Sequence, residues 1–200
     1  MRRLLAGICL VGMLAGMATA AAEIGKAAPD FTGKGSDGKD YRLADYKGKF
    51  VVLQWYNKDC PFIHKHYDSG NMQKLQETYG KKGVIWFEVL SSAPGHEGYL
   101  TASQAQENRV KSGTKSDATL LDPDGTIGLH YAAKTTPHMF VIDPKGNLIY
   151  MGAIDDHNSA DADDIPKSKN YVAAALDEAM AGQPVTVAST HPYGCGVKYK

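Results

Sequence analysis

Phe50-Val51-Val52-Leu53-Gln54-Trp55-Tyr56 runs directly into Asn57-Lys58-Asp59-Cys60-Pro61-Phe62-Ile63-His64. The first stretch is nearly continuous apolar sequence, as expected for a strand in the middle of a sheet covered on both faces. Pro61 suits the first position of a helix, where its missing N–H costs nothing. Cys60 therefore stands between a strand end and a helix start. It faces unpaired backbone N–H groups and the positive end of the helix dipole, which favour thiolate over thiol. Lys58 adds a nearby positive charge. The plainer reading of Cys60 is a small buried residue that precedes a helix.

Around this junction the chain alternates strands and helices. Asp37-Gly38, between Phe31-Thr32 and Tyr41-Arg42-Leu43, predicts a leading hairpin. A helix is expected from Pro61 to about Tyr79, ending at Gly80, and then a buried strand over Val84–Leu90. Strand, helix, strand makes a βαβ unit with a parallel pair. Ser103 with Gln106 predicts a capping box and a helix over about Gln104–Lys111. A short strand over Ala118–Leu121, the turn Asp122-Pro123-Asp124-Gly125 and a short helix over about Thr126–Tyr131 come next. Met139–Asp143 and Asn147–Met151 flank Pro144-Lys145-Gly146, which predicts an antiparallel hairpin. A last amphipathic helix spans about Asn170–Ala181 and stops at Gly182. The sum is an α/β domain with a central mixed sheet and flanking helices.

The N-terminus reads as a secretory signal peptide over residues 1–20: Arg2 and Arg3, an apolar run from Leu4 to Met17, and the small-residue site Ala18-Thr19-Ala20. The apolar run is short for a membrane span. Residues 21–200 then form one exported domain, expected in the periplasm after crossing the inner membrane, with no membrane association once the signal is cleaved. Cleavage removes Cys9 and leaves Cys60 and Cys195, in a compartment where disulfides persist. The net charge of +0, from 22 basic and 22 acidic residues, gives no electrostatic case for nucleic acid.

The C-terminal tail Thr190-His191-Pro192-Tyr193-Gly194-Cys195-Gly196 places its cysteine between two glycines, which free the backbone for tight geometry. Cys195 reads as the resolving partner of Cys60; a free thiol or a chain-to-chain bridge are the other readings. No Gly-rich dinucleotide or phosphate loop occurs, so no organic cofactor is expected. His64 lies four residues after Cys60 and shares its helix face, while His66 lies off that face. Thiolate with imidazole suits copper or zinc, so Cys60, His64 and His138 define an alternative: a non-catalytic metal-binding or chaperone protein. Surface histidines with no metal are the default. Asp155-Asp156-His157 and Asp161, Asp163 and Asp164 read as a solvated acidic loop. A redox-inert binding domain with a structural disulfide is a third alternative.

The order of elements, with Trp55 to Pro61 at the first strand–helix junction, resembles the thioredoxin fold. Ile24-Gly25-Lys26-Ala27-Ala28-Pro29-Asp30-Phe31, Asp37-Gly38-Lys39 and Leu43-Ala44-Asp45-Tyr46-Lys47-Gly48-Lys49 resemble the opening segments of redoxins of the alkyl hydroperoxide reductase/thiol-specific antioxidant superfamily. Thr135-Thr136-Pro137-His138-Met139-Phe140-Val141-Ile142-Asp143 resembles their cis-proline strand. The resemblance implies a thioredoxin-like fold with an N-terminal β-hairpin extension, and a thiol oxidoreductase or antioxidant peroxidase. It implies that Pro137 lies beside Cys60 and that Thr136 offers backbone hydrogen bonds to a docking partner. Two positions depart from the family patterns. Ile63 stands where thioredoxins carry a second cysteine. Leu53 and Asn57 stand where peroxiredoxins carry proline and threonine. The chain thus resembles a peroxiredoxin-like branch with a single active-site cysteine. The expected catalytic set is Cys60, Cys195, Pro137, Thr136 and Asn57, with no metal. The expected partners are a peroxide or disulfide substrate and a thiol electron donor, and positioning of peroxide is expected to be weak.

Overall fold

The computed structural model describes residues 21–200; the expected leader over residues 1–20, with Cys9, lies outside the described residues. The first hairpin is β1 (Thr32–Gly35) and β2 (Asp40–Arg42), followed by the central strand β3 (Val51–Trp55). Then come α1 (Pro61–Asp68), α2 (Asn71–Gly80), β4 (Ile85–Leu90), α3 (Ala102–Ser112), β5 (Ala118–Leu121) and α4 (Thr126–His130). The last third contains β6 (Thr135–Thr136), β7 (Met139–Ile142), β8 (Leu148–Gly152), α5 (Tyr171–Met180) and β9 (Cys195–Gly196).

The main sheet has the order β2-β1-β5-β4-β3-β7-β8. β3 pairs parallel with β4, and β4 parallel with β5; β7 runs antiparallel to β3 and β8 antiparallel to β7. The leading hairpin is not a free extension: β1 pairs antiparallel with β5, Lys34 opposite Leu121, and so extends the sheet.

β3 is buried along its whole length because it serves two layers. Val52 and Tyr56 face a core closed by Ile63, Met72, Val172 and Leu176 from the helices on that side. Val51, Leu53 and Trp55 face the other core, with Phe31, Phe87, Ile127, Tyr131 and Phe140. This is the period-2 alternation of a strand, with both faces apolar. The first core also encloses a polar network. Gln54 bonds Tyr67 and Trp86, and Tyr67 and Thr119 donate to the buried Glu88 carboxylate. Each of these buried polar groups is thereby partnered, which removes the cost of burying it alone.

Two expectations about helices are corrected. The single helix expected from Pro61 to Tyr79 is two, broken at Ser69-Gly70, where Gly70 adopts φ 74°. The apolar spacing runs on through the break because Met72, Leu75 and Tyr79 still reach the core. The capping box of α3 is formed by Thr101 and Gln104, not by Ser103 and Gln106. Gln106 instead donates to Ser36 at 3.1 Å, tying α3 to the leading hairpin.

Thr101→Ala is expected to lower stability by about 1 kcal/mol, the usual worth of an N-cap. Ser103→Ala should leave the urea midpoint close to wild type. Equal losses for the two variants would contradict the assigned cap.

Candidate functional site

Cys60 is the residue before the first turn of α1, with Pro61 at the first helical position. Its backbone carbonyl accepts from Ile63 and His64 N–H, but its side chain makes no cap on its own helix. The thiol turns instead across the end of the sheet and donates to the Thr136 carbonyl at 2.9 Å. The Thr136–Pro137 peptide is cis, and it sits against Cys60 at the β6–β7 junction. Cys60 is 0% exposed, so an open thiol at the helix start is not what this conformation presents.

The cover is the tail. β9 pairs antiparallel with β6, Cys195 opposite Thr136 and Gly196 opposite Thr135. Gly194 has φ 133°, and a Cβ there would lie 2.2 Å from the Thr136 oxygen. Only glycine permits this approach. Both cysteines are free thiols. Burial, and after it hydrogen bonding to Cys60 and the charge of Cys60, push the Cys195 thiol up to about 12. Cys195 therefore holds its proton beside the Cys60 sulfur near neutral pH.

The tail is docked along its length, in contrast to a solvated extension. Met151 N–H donates to Ala188 O, Met151 O accepts from Thr190 N–H, and Thr190 Oγ1 accepts from Ala153 N–H. Val197 N–H donates to Lys134 O, Ala93 N–H to Lys198 O, and the Tyr199 hydroxyl to Ala133 O. The Tyr193 hydroxyl donates to the Asp155 carboxylate. Asp155 is buried, which corrects the reading of its loop as wholly solvated.

Asn57 is also buried, at 1% exposure. Its Oδ1 accepts from Asp59 N–H at 2.8 Å, its Nδ2 has no partner, and its amide packs directly against the Cα of Gly98. The histidines diverge. His64 is exposed and pairs with Asp68 at 3.1 Å. His138 is buried, accepts from Lys134 N–H at Nδ1 and lies against Phe140. Burial holds it well below the ordinary histidine range, at about 3. His66, the residue set aside on the sequence, is buried, and burial depresses it to about 4. Among the described residues no cluster of three or more His, Cys, Asp or Glu side chains gathers to hold a metal, so Cys60, His64 and His138 do not converge.

Sequence reasoning missed Asp155, Lys65 and Tyr193, which meet under the tail. The only available signal was a tyrosine two residues before Cys195. Lys58, by contrast, pairs with Asp59 at the surface.

Comparison with known proteins agrees with the fold. The AhpC/TSA family matches residues 24–151, which leaves α5 and the tail outside the match. A thiol-disulfide oxidoreductase ResA from Bacillus thuringiensis subsp. konkukian is 32% identical over 130 residues, 64% of this chain and 68% of the relative. A peroxiredoxin from Cynops pyrrhogaster is 45% identical over 142 residues, 66% of this chain and 70% of the relative. A hypothetical protein from Sinorhizobium meliloti 1021 superposes with TM-score 0.76 at 20% identity, over 90% of this chain and 96% of that one. A putative thiol:disulfide interchange protein DsbE from Chlorobium tepidum shares the fold at TM-score 0.52 and 23% identity, over 66% of this chain and 85% of that one. The chain belongs to the AhpC/TSA family of thioredoxin-fold redoxins, and its relatives support a thiol-based redox function.

Proposed function

We propose that this protein is an exported thiol–disulfide oxidoreductase in which Cys60 attacks and Cys195 resolves. The carrying observation is the antiparallel pairing of Cys195 with Thr136, whose carbonyl accepts the Cys60 thiol. The Cys60 thiolate attacks one sulfur of a substrate disulfide, forming a mixed disulfide and expelling the other sulfur as a thiolate. Cys195 then gives up its proton and attacks the Cys60 sulfur. The Cys60–Cys195 disulfide forms and the second substrate sulfur leaves as thiolate. The substrate is reduced by two electrons and the cysteine pair is oxidised. A thiol donor restores the pair by the reverse exchange.

Thr136 and Pro137 shape the wall against which the sulfur sits, and Asn57 holds the loop before Cys60 through its turn to Asp59. No cofactor or metal enters this scheme. In this reading residues 1–20 act as the export signal and residues 21–200 as the working domain, with the exchange in the periplasm. Among the described residues no helix is long and apolar enough to cross a membrane.

A peroxide would follow the same entry. The thiolate would take the terminal oxygen, break the O–O bond, release an alcohol or water and leave a sulfenic acid, which Cys195 would convert to the disulfide with loss of water. The burial of Asn57 favours the disulfide reading, because its unpaired Nδ2 is enclosed beside Gly98 and not open to an incoming peroxide.

Non-reducing peptide mapping of the protein after exposure to oxidised glutathione should recover a Cys60–Cys195 bridge. Cys195→Ser should trap Cys60 as a glutathione mixed disulfide. Recovery of Cys195 free beside an oxidised Cys60 would remove its resolving role.

Stopped-flow oxidation by hydrogen peroxide should be far slower than exchange with a low-molecular-weight disulfide. A faster peroxide reaction would reverse the substrate preference.

Alkylation of Cys195 in the reduced protein should be slower than that of a model thiol peptide at pH 8 and stay behind it as pH rises, the direction set by its burial and by Cys60. A labelling curve matching that of a model thiol peptide would show that Cys195 is not held against Cys60.

A further inference from the structure

Beneath the tail lies a group of buried polar side chains that takes no part in the exchange chemistry. Lys65, on α1 five residues past Cys60, has a side chain at 0% exposure. Its Nζ lies 3.4 Å from Asp155 Oδ2 and donates to His157 O at 3.2 Å. His66 Nε2 is 3.8 Å from the same carboxylate oxygen and has no hydrogen-bond partner, while Asn71 Nδ2 donates to its Nδ1. Lys65 is therefore the positive partner of Asp155.

Tyr193 closes this group from the tail side. Its hydroxyl donates to Asp155 Oδ1, its ring packs on Phe62 with centroids 5.7 Å apart, and Lys65 Nζ lies 5.9 Å from the ring centroid. Phe62 is two residues after Cys60, and Tyr193 is two residues before Cys195. One side chain thus ties the segment that covers Cys60 to the helix that begins at Cys60. The tie is charge-assisted, which makes it stronger than a neutral hydrogen bond. It also covers an ion pair whose burial is costly. Lifting Tyr193 would let water reach Lys65 and Asp155, which would offset part of the bond lost.

We propose that the Tyr193–Asp155 bond is a latch: it holds the tail closed over Cys60 and so sets how often the thiol is open to a substrate. This rests on the reading of Cys60 as the attacking thiol. Tyr193 is a positioning residue, since it touches neither sulfur's reaction partner. With the latch closed, Cys195 is opposite Thr136 and Cys60 is covered. With it open, one of the contacts that keep the tail on the β6 edge is gone, and the Cys60 sulfur is exposed more often.

The test is the rate at which iodoacetamide labels Cys60 in the reduced full chain at pH 8, read by peptide mass. Tyr193→Phe keeps the ring on Phe62 and removes only the hydroxyl, so the fold should hold. It should raise the Cys60 labelling rate about tenfold, the opening expected from losing one charge-assisted bond. The same increase should appear in a Cys195→Ser background. Tyr79→Phe is the control: it loses a hydroxyl bond to Ala173 O, away from the tail, and should leave the labelling rate unchanged. A rate for Tyr193→Phe equal to wild type, or an equal rise for Tyr79→Phe, would overturn the latch. Reaction with oxidised glutathione tests the underlying reading separately. If Tyr193→Phe speeds labelling while neither protein exchanges with glutathione, the latch stands and the redox role of Cys60 falls.

Discussion

The Thr136 carbonyl is the point on which this site depends. From one side it accepts the Cys60 thiol, and from the other the Cα of Gly194 lies closely against it. That single peptide joins the start of α1, the β6–β7 junction and the C-terminal tail. These parts are far apart in the chain, and their convergence follows from the sheet. β3 delivers Cys60 to the sheet end, and its antiparallel neighbour β7 begins at the same end two residues after Pro137. The two cysteines meet there because the tail pairs with the short strand just before that junction.

Much of the fold was legible because its signals are local. The apolar run into Trp55, the proline after Cys60, the Asp37-Gly38 turn and the Pro144-Lys145-Gly146 turn each fix an element from residues close together in sequence. The failures have a common cause. Two polar pairs two residues apart, Thr101/Gln104 and Ser103/Gln106, carry the same capping pattern. What separates them is that Gln106 is engaged by Ser36, from a hairpin seventy residues earlier. Gly70 breaks the helix, yet apolar spacing continues through it because α2 packs on the same core as α1.

The site was readable up to the edge of what neighbours in sequence can say. Cys60, Thr136 and Pro137 lie at element ends that the pattern of strands exposes. That the tail returns toward Cys60 was expected from its cysteine and glycines; how it docks was not visible, because that depends on shape: the absence of a Cβ at Gly194 matters only beside Thr136. Asp155 looked solvated because acidic residues surround it. Its burial is decided by Lys65, from α1, and by Tyr193, from the tail. Asn57 shows the same limit in reverse. Its identity is plain in the sequence, but its confinement by Gly98 is a tertiary fact.

The start of α1 constrains how the Cys60 sulfur can be replaced. The cysteine occupies the N-cap position without capping the helix, so the first turn lacks the side-chain acceptor that serine, threonine or asparagine would provide there. Serine is commonly treated as the neutral stand-in for cysteine. At this position it would bring an oxygen able to close the helix end, worth about 1 kcal/mol. A serine variant would then differ from the parent in rigidity as well as in nucleophilicity, and alanine is the cleaner deletion. The natural sequence keeps the weaker helix end, a local concession of stability at the one position where the element type matters less than the atom it carries.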